Sequence, residues 1–204
     1  MQKLFLFLFF ISFTSFAQIR YYKIDYGDLP QSIELIENDN GQFKGSINTE
    51  LDKGNWDISW LNRTWRKLWK IETKKKSIID PLNEELVKNL MYQLEKEGIE
   101  TIKNCQDDID CNNIGFLDGS STSFKIKTKK NDREYYFNEI YPVLKDNRET
   151  NEIRKQAQNI VTTLDRFINQ KESFSKAIKQ LPRGKYYYFS GISICRINTN
   201  KKRK

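Results

Sequence analysis

Two pairs of short runs, in which apolar and polar residues alternate, constrain the fold of this chain most. The runs 32–38 and 42–50 flank an Asp-Asn-Gly turn, which is a strong hairpin signal because Asn and Gly tolerate positive φ. The runs 120–127 and 133–141 flank a second polar turn and predict a second hairpin. Hairpins of this kind build antiparallel sheets, so the sequence predicts a mainly antiparallel sheet.

Two further strands and one helix are predicted outside these hairpins. Residues 19–26 and 185–197 are rich in aromatic and β-branched side chains, which favours strands. Residues 80–98 have apolar side chains at helical spacing. In this segment Asp80 is the predicted cap, with Pro81 in the first turn and Gly98 just past the end.

Two more helices are predicted in the second half of the chain. Asp146 and Glu149 have the spacing of a capping box, and apolar residues then repeat with helical period from 153 to 168. A shorter helix is predicted at 173–181. Helices and strands do not strictly alternate, so we expect an α+β fold in which a sheet of hairpins packs against two principal helices.

The first seventeen residues have the pattern of a secretory signal peptide. Lys3 precedes an apolar stretch at 4–13, and Ala17 offers a small residue at the cleavage point. The stretch is shorter than the roughly 20 residues that a membrane span needs. We therefore expect a signal peptide at 1–17, a single domain at 18–198 and a basic tail at 199–204. The predicted product is soluble, periplasmic or secreted, and not an integral membrane protein.

The chain contains no histidine. This absence excludes Ser-His-Asp and Cys-His catalysis, zinc sites with histidine ligands and proton switching by imidazole. An enzyme with this sequence would have to use carboxylates, Lys, Tyr, Ser or Cys. No cofactor and no metal site is predicted.

The charge balance favours an anionic partner. The formal net charge is +8, and the last four residues are all cationic. Such a balance suits lipid headgroups, acidic polysaccharide or an acidic protein, whereas export makes nucleic acid the least favoured partner. The alternative is a basic surface that serves solubility alone.

All four tryptophans fall between Trp56 and Trp69, beside a cluster of seven cations at 63–76. Indoles supply contact area and cations supply attraction, so this combination suits an anionic or glycan-like envelope component or another protein. The alternative is that the indoles fill the core. The candidate binding residues are Trp56, Trp60, Arg63, Arg66, Lys67 and Lys70.

Three cysteines leave the pairing open on sequence alone. Cys105 and Cys111 lie close together in a polar segment, which in an exported protein favours a disulfide. A thiolate metal site is the alternative, but the spacing is long for zinc and further ligands are missing. Cys195 is predicted to be unpaired, although pairing with either of the other two also satisfies the count.

The sequence as a whole favours an exported, non-enzymatic binding or interaction protein of the cell envelope or the secreted fraction. The alternative is a small carboxylate-dependent hydrolase of envelope material. That reaction needs two carboxylates at a defined separation, which a sequence does not supply.

Overall fold

The computed structural model describes residues 18–54, 74–112, 114, 119–144 and 147–200. These residues form one antiparallel sheet with helices, which confirms the predicted α+β class. The strands are β1 (Gln18–Asp25), β2 (Gln31–Asn38), β3 (Phe43–Lys53), β4 (Lys74–Pro81), β5 (Ser121–Thr128), β6 (Asp132–Asn138), β7 (Lys185–Ser190) and β8 (Ser193–Asn198). The helices are α1 (Glu84–Lys96), the short α2 (Ile109–Asn112), α3 (Glu152–Phe167) and α4 (Gln170–Gln180), with a 3₁₀ turn at Cys105–Asp107.

The strand order is β6-β5-β1-β2-β3-β7-β8, and β4 pairs with the other side of β3. The long strand β3 makes this branching possible. Its first part pairs with β2, whereas Asp52 and Lys53 extend beyond β2 and pair with Tyr187 and Tyr186 of β7. The strand β4 pairs with β3 from Ser46 to Lys53.

The main core lies on one face of the sheet, under α1 and α3. Successive residues of a strand point to opposite faces, so the alternating pattern places every second side chain of β1, β2 and β5 in this core. Both helices turn their apolar sides to the same cluster, and they contact one another. The fully buried members include Tyr22, Ile24, Ile33, Leu35, Phe124 and Ile126 from the strands, and Leu90, Leu94, Ile160, Val161 and Leu164 from the helices.

The helix α1 begins later than the sequence predicts. Asn83 is the cap, and its side chain accepts hydrogen bonds from the backbone N–H of Glu85 at 2.9 Å and of Leu86 at 3.4 Å. The predicted cap, Asp80, and Pro81 belong instead to the end of β4. A proline is tolerated there because β4 pairs on one side only, with β3. Gly98 follows the helix with φ +81°, as predicted.

The helix α3 is also capped by a different residue. Asn151 accepts from the N–H groups of Ile153 and Arg154, whereas the predicted capping residue Asp146 lies outside the described residues. The second predicted capping residue, Glu149, forms a two-pronged ion pair with the buried Arg154, at 2.6 and 2.8 Å. Arg154 also donates to the Asn138 carbonyl at 2.9 Å, and this hydrogen bond holds the end of β6 against α3.

The predicted strand 185–197 is a hairpin, β7–β8, which turns at Gly191 with φ +54°. The sequence prediction of one continuous strand is therefore wrong. The hairpin and α4 enclose a second, smaller core over the end of β3, whose buried members are Leu51, Ile78, Ala177, Leu181 and Tyr186.

Cys105 and Cys111 form a disulfide, with Sγ atoms 2.00 Å apart, and Cys195 is a free thiol on β8. The pairing agrees with the sequence prediction. It closes the turn between α1 and β5, with Cys111 buried.

Replacing both linked cysteines, Cys105→Ser/Cys111→Ser, should lower the free energy of unfolding by about 2 kcal/mol, because a short loop loses little entropy on closure. Urea unfolding under non-reducing conditions measures this loss. The control Cys195→Ser should leave the midpoint nearly unchanged, since this thiol is half-exposed and unpaired. Equal destabilisation by both variants would contradict the assigned pairing.

Candidate functional site

The predicted contact residues fall in a segment that the structure does not describe. Trp56, Trp60, Arg63, Arg66, Lys67 and Lys70 all lie at 55–73, outside the described residues. The residues that flank this segment are described: Lys53 is the last residue of β3, and Lys74 is the first residue of β4. These two residues are direct partners in the antiparallel register.

Three lysines at this end of the sheet form what we call the lysine trio: Lys53, Lys74 and Lys76. All three side chains are exposed. They share one face of the sheet, because Lys53 pairs with Lys74 while Leu51, two residues earlier, pairs with Lys76. Like charges directly opposite one another are destabilising. Within the part of the chain that the structure describes, none of the three has an ion-pair partner.

Four lysines on the opposite face of the sheet, which we call the polar face, are close to carboxylates. This face carries the side chains of β1 to β6 that point away from the main core. Its ion pairs are Lys23–Glu34 at 3.5 Å, Lys125–Glu134 at 3.7 Å, Lys127–Asp132 at 2.7 Å, and Lys75–Glu50. The lysine trio therefore differs from these four lysines, because its members have no carboxylate partner among the described residues.

Asp25 lies in a cavity of about 440 Å³ on the polar face, together with Tyr21, Lys23, Lys125 and Glu134. The hydroxyl of Ser123 donates to its Oδ2 at 2.8 Å. Burial is the largest cause that raises the pKa of the Asp25 carboxyl above its usual range, although the Ser123 hydrogen bond opposes the shift.

A larger cavity of about 880 Å³ lies where α3 meets α4, and we call it the joint pocket. Its lining comes from three segments that are distant in sequence: the β1–β2 loop at 26–29, the segment 141–144 with Asn147, and the helix junction at 165–171. The lining includes the apolar side chains of Leu29, Leu144 and Phe167. It also includes two carboxylates, Asp28 and Asp165, and two cations, Arg166 and Lys171.

Hydrogen bonds hold the walls of the joint pocket in place. The buried Gln158 side chain donates to the carbonyls of Tyr141 at 3.2 Å and Asn147 at 2.8 Å, which ties this wall to α3. The Gln31 amide, in the orientation that satisfies both of its polar atoms, donates to the Gln170 carbonyl at 3.0 Å. Gly27 has φ +75°, a conformation that the turn between β1 and β2 requires. The pocket is thus preformed by the fold.

Tyr26 belongs to the lining of this pocket, but its hydroxyl oxygen is buried. Tyr26 is only 3% exposed, and among the described residues its hydroxyl has no hydrogen-bond partner. Burial, followed by the nearby negative charge of Asp165, raises the pKa of this hydroxyl well above its usual range. Tyr26 therefore stays protonated and remains able both to donate and to accept a hydrogen bond.

Neither the joint pocket nor the lysine trio is predictable as a site from the sequence. Lys74 and Lys76 were visible as part of the basic cluster, but their position beside Lys53 depends on the β3–β4 register. The joint pocket has no local sequence signal, because the β1–β2 loop lies more than a hundred positions before the other two segments of its wall.

Comparison of the chain with known protein families, with curated proteins and with solved structures finds no match. In the described part of the chain, no helix has the length and apolar character needed to cross a membrane. Those same residues also contain no cluster of metal-ligating side chains. A function for this protein must therefore be inferred from the geometry of the lysine trio and the joint pocket.

The variant Asp25→Asn should be more stable than the wild type at pH 7, and this advantage should vanish as the pH falls below about 3.9, the usual pKa of an unfolded Asp. Folding raises the pKa of Asp25. Between the pKa of the unfolded state and that of the folded state, the folded protein therefore binds more protons than the unfolded protein. Its stability then falls as the pH rises through that window. The amide oxygen still accepts from Ser123.

Urea unfolding of both proteins at pH 7 and at low pH tests this expectation. Asp132→Asn on the same face is the control, and it should change stability by less than about 1 kcal/mol because its ion pair is exposed. A less stable Asp25→Asn protein at pH 7, or an advantage that persists at low pH, would contradict the account.

Proposed function

We propose that the protein is exported and acts without catalysis. It binds an anionic component of the cell envelope through the lysine trio and through the segment between Lys53 and Lys74. The Lys53–Lys74 cross-strand pair carries this proposal. It brings both ends of the segment with Trp56, Trp60, Arg63, Arg66, Lys67 and Lys70 to one exposed patch of positive charge.

The energetic cost of the trio supports a binding role. Four lysines of the polar face lie beside carboxylates, which lowers the repulsion between these lysines. Lys53, Lys74 and Lys76 lack this compensation within the described residues, so an anion that approaches them relieves repulsion as well as gaining attraction. Each lysine near an anionic surface contributes about 1 kcal/mol of binding free energy.

In the cavity on the polar face, the arrangement of the acids favours binding over a carboxylate-dependent hydrolase. Such an enzyme uses one carboxylic acid as proton donor and a second carboxylate as base or nucleophile across a substrate cleft. Asp25 and Glu134 share the cavity on the polar face, but Glu134 pairs with Lys125 at 3.7 Å and Asp25 accepts from Ser123 at 2.8 Å. Both carboxylates are thus already engaged by neighbouring side chains. The disulfide between Cys105 and Cys111 is compatible with an oxidising compartment outside the cytoplasm.

The variant Lys74→Ala/Lys76→Ala should bind phosphatidylglycerol vesicles about 30-fold more weakly than the wild type, because it loses two contributions of about 1 kcal/mol each. Sedimentation with vesicles at 0.05 and 0.2 M salt measures this change, and the wild type itself should bind more weakly at the higher salt. A parallel series with alginate distinguishes a lipid headgroup from an acidic polysaccharide as the source of the anions.

The matched control is Lys129→Ala/Lys130→Ala, which removes the same charge from the exposed β5–β6 turn at the opposite edge of the sheet. The proposal requires that the control keeps most of its binding. If both double variants lose affinity equally, net charge rather than the lysine trio determines binding. If neither vesicles nor alginate bind the wild type, the proposed function is wrong.

A further inference from the structure

We propose that β8 is the docking edge for a second copy of this chain, which adds its own β8 in antiparallel register and places the two Cys195 thiols side by side. Among the described residues β8 pairs with β7 alone, so its outer edge presents unpaired backbone N–H and C=O groups. Such an edge is a template for pairing with another strand. The proposal shares no residue with the lysine trio and does not depend on the proposed function.

The other two outer strands of the described sheet, β4 and β6, carry features that prevent such pairing. The strand β4 begins with three consecutive lysines and ends at Pro81, which has no backbone N–H. The strand β6 begins with Asp-Arg-Glu, and it also contacts the 3₁₀ turn at Cys105–Asp107. Charged residues, proline and covering loops are common protections of edge strands. The sequence of β8, Ser-Ile-Cys-Arg-Ile-Asn, has no proline and a single charge, so β8 is the least protected of the three.

The hydrogen-bond pattern of the β7–β8 hairpin determines which backbone groups of β8 face the open edge. The N–H of Thr199 donates to the Gly184 carbonyl at 3.0 Å, and hydrogen-bonded pairs recur at every second residue of an antiparallel ladder. In this register Cys195 is hydrogen-bonded to β7. The backbone groups of Ile194 and Arg196 therefore point away from β7, where a neighbouring strand can pair with them.

A second copy related by a two-fold axis through Cys195 satisfies these backbone groups in both chains. Ile194 of each copy then forms a hydrogen-bonded pair with Arg196 of the other copy, and Cys195 lies opposite its own equivalent in a non-hydrogen-bonded pair. The Cα atoms of such a pair are about 4.5 Å apart, within the roughly 4.4–6.8 Å that a disulfide spans. A register centred on Arg196 would instead place two like charges opposite one another, which is destabilising.

The free thiol of Cys195 favours a second copy over an unrelated peptide as the occupant. Cys195 is half-exposed, while the other two cysteines are linked to each other, so a disulfide partner for it must come from another chain. The exchange that links two copies is balanced. Two Cys195 thiols reduce one molecule of oxidised glutathione, an S–S bond forms between the copies, and two glutathione thiols are released.

Disulfide exchange in a glutathione redox buffer tests the proposal, because the amount of covalent dimer at equilibrium reports how readily two Cys195 thiols meet. The wild type is expected to form a dimer whose peptide map contains a Cys195–Cys195 link, with the Cys105–Cys111 disulfide intact. The variant Cys195→Ser is the control for links through the other cysteines. It should form no covalent dimer.

Moving the thiol tests the register. In a Cys195→Ser background, one protein carries Ser193→Cys and a second protein carries Ile197→Cys, and these two positions lie opposite one another in the proposed dimer. The mixture should therefore cross-link. Ser193→Cys alone should not, because the two copies of this position lie about 14 Å apart, twice the reach of a disulfide. Circular dichroism verifies that both proteins are folded.

A matched pair of substitutions at Ile194 tests the contact across the interface. Position 194 lies opposite Arg196 of the second copy, so Ile194→Glu should favour the covalent dimer and Ile194→Lys should disfavour it. The dimerisation equilibria of the two variants should differ about tenfold, because each dimer contains two such cross-strand pairs. Both variants remove the same half-buried side chain, so a folding defect would affect them equally.

Three outcomes would overturn the inference. It is wrong if the wild type forms no covalent dimer, whether Cys195 stays free or takes up glutathione. It is also wrong if Ser193→Cys alone cross-links as well as the mixture, or if Ile194→Glu and Ile194→Lys dimerise equally. None of these measurements involves vesicles or the lysine variants, so this inference and the proposed function fail separately.

Discussion

The burial of one face of the sheet under α1 and α3 is the constraint on which the rest of the structure depends. Because the apolar side chains of the central strands point to that face, the opposite face must be compatible with water, and four of its lysines pair with carboxylates. At the junction of α3 and α4 the chain turns, and α4 packs on the smaller core beside β7 instead of on the main core. The joint pocket lies at this junction, and the lysine trio lies where β3 extends beyond β2.

The parts of the fold that were predictable have strong local signals. The Asp-Asn-Gly turn and the alternation on both of its sides predict β2 and β3, and the apolar periodicity predicts α1 and α3. The N-cap residues of the helices were harder to predict, since several polar residues precede each helix. Asn83 caps α1 because Asp80 and Pro81 are held by pairing with β3.

The missed features depend on contacts between distant residues. The strand β4 begins with three consecutive lysines and buries only Ile78 as an apolar side chain, so it carries no alternating pattern. The turn at Gly191 interrupts what reads as one apolar run. The joint pocket combines Tyr26 with residues near 142 and 166, a contact that only the tertiary structure reveals. The predicted contact residues from Trp56 to Lys70 remain a prediction, because they lie outside the described residues.

The central claim is that the protein meets its anionic partner at the end of the sheet where β3 and β4 pair. Hydrogen–deuterium exchange of the protein, with and without phosphatidylglycerol vesicles, locates the contact without any substitution. The account predicts slower exchange in peptides that cover β4 and the end of β3, with no change in β5 and β6. Protection confined to β5 and β6, with β4 unchanged, would contradict it.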